Sequence, residues 1–231
     1  MTELTIHYRF TFGDGRRIDY PVRLNPETAA PLEPLPEAPP EWTWLGRHQC
    51  EGCRLDTDRH PFCPAALRLI GPARDFGDVL SYERVEVRVE TRERVVTAET
   101  SSQAAVSSLL GLLMATSGCP KTAFFRPMAR FHLPLASEAE TLYRAASMYL
   151  LGQYFRDQEG RSVDLTLEGL VDAYRRVAEV NRGMVKRLRE ASEQDSTVNA
   201  VVLLDLFTKT LPAAVEDALE ELRPLFDAYL D

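Results

Sequence analysis

Leu4, Ile6, Tyr8, Phe10 and Phe12 alternate with polar residues near the start of the chain. Successive side chains of a strand point to opposite faces, so this two-residue period predicts a half-buried β-strand. Gly13-Asp14-Gly15 follows and can supply the positive φ angles of a tight turn. Ile18, Tyr20, Val22 and Leu24 then resume the alternation, so the segment is expected to form a β-hairpin.

The remaining pattern is mixed and then helical. Residues 25–42 carry Pro26, Pro31, Pro34, Pro36, Pro39 and Pro40, the composition of an extended surface connector. Ala65 to Leu80 reads as helix, broken or kinked at Gly71-Pro72. Val85, Val87 and Val89 predict a strand, with Arg94 to Ala98 as its hairpin partner. Thr100 to Gln103 fits a capping box for a helix reaching about Thr116, with Gly118 as its stop. Ser137 to Glu140 caps another, reaching about Arg156. Its apolar residues (Leu142, Tyr143, Met148, Tyr149, Leu151, Tyr154, Phe155) go nearly all round, which predicts a central, buried helix. Leu167, Leu170, Tyr174, Val177, Asn181, Met184 and Leu188 form one stripe of the next. Further helices are expected from about Ser196 to Lys209 and from Pro212 onward. The expected fold class is α+β, one integrated domain over 1–231. A β-rich part (1–99) with a Cys-rich metal-binding segment (48–64) would pack on a mainly α-helical part (100–231).

The four cysteines are the chemical signal. No basic region followed by an apolar core opens the chain, and no apolar run approaches the roughly 20 residues that span a bilayer. The expected compartment is therefore the cytoplasm, where thiols stay reduced and cysteines point to metal or redox chemistry before disulfides. Cys50 and Cys53 form a C-x₂-C pair, Gly52 easing the turn between them. Cys63 follows after nine residues, and Cys119 lies past a helix end in Gly118-Cys119-Pro120. A Cys₄ shell of Cys50, Cys53, Cys63 and Cys119 around structural Zn²⁺ is the first expectation, the metal clasping connector and hairpin to the helical part. A 4Fe–4S cluster is the second, because Cys-Pro endings and C-x₂-C also occur among cluster ligands. Ordinary buried thiols, or a Cys₃His site completed by His48 or His60, are the others.

The segments His48-Gln49-Cys50 to Cys53, Cys63-Pro64-Ala65-Ala66, Met114 to Pro120 and Arg126 to Pro134 resemble those of an uncharacterised bacterial protein family, a domain of unknown function. The resemblance covers most of the chain and implies no activity.

Net charge is −8, which argues against nonspecific binding to nucleic acid or an anionic membrane. Yet Thr100 to Ser137 contains no Asp or Glu, while Lys121, Arg126, Arg130 and His132 lie within it. These residues could hold a carboxylate or phosphate, balance the charge of a thiolate centre, or be solvated surface cations. Asn181 and Asn199, on apolar stripes, either bridge helices or line a polar pocket. No phosphate-loop, dinucleotide-binding, nucleophile-elbow or zincin motif is present. Three functions are therefore expected: a Cys₄ zinc protein with a helical interaction surface, an iron–sulfur redox or sensory protein, or an enzyme whose anion pocket uses Arg126, Arg130 and His132. The expected partners are another protein or a small anionic ligand.

Overall fold

The computed structural model describes residues 3–191, 197–202, 204–205 and 219–230. Strands β1 (Leu4–Phe12) and β2 (Arg17–Leu24) form the expected hairpin, with Leu4 opposite Leu24 and Phe10 opposite Ile18. Gly15 takes a φ of 89° at its turn. Strands β3 (Arg84–Glu90) and β4 (Val95–Ser101) make a second hairpin, and β1 pairs with β3. The sheet is antiparallel in the order β2-β1-β3-β4.

The alternation separates the two faces. Ile6, Tyr8, Phe10, Val85, Val87 and Val89 are buried, while Arg9, Asp19 and Glu90 meet in solvent-facing ion pairs on the other side. An antiparallel sheet tolerates one wet face, so helices are needed on the other side only. Helices α1 (Pro64–Asp75) and α2 (Ser102–Thr116) cover it. The Phe10 and Phe76 rings meet edge to face with centroids 4.8 Å apart. Two helical expectations change here. Helix α1 is not broken at Gly71-Pro72 but runs on to Asp75, short of the expected Leu80, with Pro72 buried within it. The cap of α2 is Ser101 rather than Thr100, its hydroxyl accepting from the Ala104 amide at 3.4 Å.

Helices α3 (Arg126–Arg130), α4 (Glu138–Gln158) and α5 (Glu168–Ala191) follow. Ser137 and Glu140 close the expected capping box of α4. The expectation that α4 is buried all round is overturned. Leu142, Ala145, Ala146 and Tyr149 are buried, whereas Tyr143, Leu150, Leu151, Tyr154 and Phe155 are exposed. Its inner stripe packs on Leu167, Leu170 and Tyr174 in a small second cluster. The stripe on α5 is buried throughout, and its far end (Met184, Leu188) joins the main core. Residues 197–202 are helical, while the rest of the expected 196–209 helix lies partly outside the described residues, as does the helix expected from Pro212. The fold is thus α+β, a sheet followed by helices. No described helix is long and apolar enough to cross a membrane.

Candidate functional site

The Cys-rich segment is closed at its base by backbone pairing. Trp44 bridges Phe62, the Leu45 amide donates to the Pro61 carbonyl (2.8 Å), and the Cys63 amide to that of Thr43 (2.7 Å). Inside this loop the Cys53 amide donates to the Cys50 carbonyl at 3.0 Å, and Gly52 takes a φ of 60°. The C-x₂-C turn therefore forms as its glycine suggests. Cys63 is the residue before α1, with Pro64 opening that helix. Cys119 follows Gly118 (φ 89°), and its carbonyl accepts from the amides of Thr122 and Ala123.

All four cysteines are free and line one cavity of about 550 Å³ beside α5. They do not form the metal centre expected from their spacing. No group of three or more His, Cys, Asp or Glu side chains among the described residues can hold a metal ion. Burial also pushes the Cys50 thiol up to about 11 and raises that of Cys63, so both are neutral S–H groups. The expectations of a Cys-rich metal-binding segment, of structural Zn²⁺ and of a 4Fe–4S cluster are all corrected on this finding.

Ionic side chains fasten the connector instead. Arg187 of α5 is 1% exposed, and its guanidinium donates to the carbonyls of Trp42 (2.6 Å), Trp44 (2.7 Å) and Leu45 (3.1 Å). Its Nε is buried with no hydrogen-bond partner. One turn on, Glu190 receives Arg47 at 2.6 Å and His48 at 2.7 Å. Lys121 donates to the Glu51 carbonyl and pairs with Glu179 of α5. Gly183 makes the approach possible, since a Cβ there would lie 3.1 Å from Cys50 Sγ.

Lys121, Arg126, Arg130 and His132 occupy different surroundings. Lys121 borders the thiol cavity, and Arg126 is exposed. Arg130 donates to the Pro26 carbonyl and lies over the Phe131 ring. His132 borders a second cavity of about 630 Å³ between β4, α2 and helices α3 to α5. The walls of this cavity are mainly apolar, with Met114, Phe125, Met128, Leu135, Tyr174 and Val177 among them. Its polar edge is a chain of hydrogen bonds. The Leu135 amide donates to Ser108 Oγ at 3.1 Å, Ser108 and Tyr8 hydroxyls lie 2.9 Å apart, and Tyr8 reaches His132 Nε2. Each group is satisfied if Ser108 donates to Tyr8 and Tyr8 to His132, which puts the imidazole proton on Nδ1. Burial, reinforced by the charge of Arg144, lowers the His132 pKa to about 3, so the ring is neutral. Arg144, half-buried on the same cavity, donates to the carbonyls of Met128 and Phe131, both at 2.9 Å, and has no ion pair among the described residues.

Arg187, Arg144, Tyr8 and Ser108 were not identified from sequence. Arg187 carried a signal, since it falls three residues after Met184 on the buried side of α5. A cation in an apolar register needs a buried partner. Ser108 carried none, because serine is unremarkable in a helix.

The chain belongs to the family described as Domain of unknown function (DUF6901), which matches residues 6–227. No curated protein and no solved structure matches it significantly.

Proposed function

We propose that the protein binds a small amphipathic carboxylate in the cavity between α2 and helices α3 to α5. The observation that carries this reading is a mainly apolar cavity of about 630 Å³ bordered by the half-buried Arg144, which makes no ion pair among the described residues, while the two carboxylates that also border it, Glu99 and Glu138, are exposed. Ligand sites are commonly concave and apolar, with a few polar groups that fix orientation. Phe125, Met128, Leu135 and Val177 receive the apolar body. Arg144 receives the carboxylate, because burial in a partly apolar wall strengthens a charged hydrogen bond. The Nδ1–H of neutral His132 offers a second donor.

Titration with dodecanoate and with dodecanol, followed by calorimetry and thermal unfolding, tests it. Dodecanoate is expected to bind saturably and raise the melting temperature, with dodecanol weaker. Arg144→Gln should erase the difference between the two. Ala115→Phe, which fills the cavity, should abolish both. Failure of dodecanoate to bind the unmodified chain, or binding unaffected by both substitutions, would sink the proposal.

A further inference from the structure

The thiol cavity holds an unusual balance of charge. Arg54, Lys121, Arg176 and Arg187 border it, against the carboxylates of Glu51 and Glu179. The wall therefore carries an excess of two positive charges in a chain whose net charge is −8. Lys121 is already paired with Glu179, so the surplus rests on the arginines. Arg176 has no ion pair among the described residues. Arg187 is 1% exposed and spends its terminal nitrogens on backbone carbonyls, leaving Nε buried and without an acceptor. A buried charged donor without an acceptor is costly, and a negative charge in the adjoining space would offset part of that cost through its field.

We infer that this cavity is a second ligand site, one that takes a small oxyanion of the phosphate or sulfate class. The exposed Arg54 and Arg176 guanidinia supply charge-assisted donors, Arg187 supplies a fixed positive charge behind them, and the surrounding S–H groups supply weak donors. The volume of about 550 Å³ admits a free oxyanion or one borne on a small organic molecule. The site lies on a different face of α5 from the apolar cavity and does not depend on the amphiphile reading.

Alkylation of Cys50 and Cys53 by N-ethylmaleimide, followed by mass spectrometry of the full chain, reads occupancy directly. Inorganic phosphate is expected to slow modification of both residues saturably, while sodium chloride at matched ionic strength does not. Arg176→Gln, an exposed substitution that the fold tolerates, should raise the half-protecting phosphate concentration by about threefold, the size of one partly screened ion contact. Dodecanoate binding should be unchanged by it. Protection that merely tracks ionic strength, or that is identical in Arg176→Gln and the unmodified chain, would overturn the inference. An organic phosphate that protects at lower concentration than phosphate itself would identify the oxyanion as part of a larger ligand.

Discussion

Helix α5 serves two cavities that differ in almost every physical respect. Tyr174, Val177 and Asn181 border the apolar one, and Arg176, Glu179, Val180 and Arg187 border the thiol one. At 3.6 residues per turn the centres of the two sets lie about a third of a turn apart on the same helix. On the first side, packing makes the wall and a short polar chain marks its edge. On the second, salt bridges and charged hydrogen bonds draw a loop with little secondary structure onto the helix. Local charge can thus replace both apolar area and a crosslink where a connector is too polar to bury itself.

The comparison breaks most visibly at Arg187. Arg187→Ala removes three charge-assisted bonds to the carbonyls of Trp42, Trp44 and Leu45. The Trp44 carbonyl keeps the Arg47 amide as a donor, but leaving those of Trp42 and Leu45 unpaired should cost about 2 kcal/mol or more in total. Urea denaturation is the measurement, and a loss no larger than that of an exposed arginine would show that the connector is held by something else. The effect should appear as faster alkylation of Cys50 even under native conditions.

Acid should strike the other cavity first. The folded-state pKa of His132 is depressed to about 3 from an ordinary 6.5. The unfolded chain therefore takes up a proton before the folded one as pH falls through 6.5, and stability is lost from there down toward pH 3. The group can contribute up to about 1.4 kcal/mol per pH unit within that window, and nothing above it. Carboxylates titrate in the lower part of the same range, so the informative quantity is the difference between the unmodified chain and His132→Gln. Equal slopes in the two between pH 6 and 5 would mean that His132 is hydrated and protonates freely.

Legibility in the sequence followed the range of the forces involved. The hairpin of β1 and β2, the cap at Ser137 and the buried stripe of α5 all depend on residues a few positions apart. Period and capping chemistry therefore predicted them correctly. The exposure of Tyr154 and Phe155 was not legible, because an apolar residue looks the same whether or not another element covers it. Pro72 sits inside α1, where local rules expect a break or a kink, and is buried there. Cysteine spacing correctly gathered Cys50, Cys53, Cys63 and Cys119 around one cavity but misjudged its chemistry. Spacing along a chain says which side chains can meet, not how closely their sulfurs converge. Arg187, the buried cation that holds this region, comes from α5, more than a hundred residues further on, where only a misplaced arginine in an apolar register gave warning.

Gly183 offers the finest test of how the thiol side is assembled, because two opposed effects meet there. Replacing a helical glycine by alanine favours the helix by about 1 kcal/mol. The new Cβ, however, would stand 3.1 Å from Cys50 Sγ and 3.3 Å from the His48 carbonyl oxygen, both tighter than ordinary contact. The sulfur can swing aside, but the carbonyl belongs to a backbone whose next side chains are tied to Glu190. Gly183→Ala should therefore change global stability by no more than about 0.5 kcal/mol, the helix gain offset by local strain. The displacement should register instead as faster alkylation of Cys50, with Cys63 and Cys119 unaffected. A clear gain in stability without any change at Cys50 would mean that the loop rides on α5 loosely, and that Arg187 and Glu190 alone set its position.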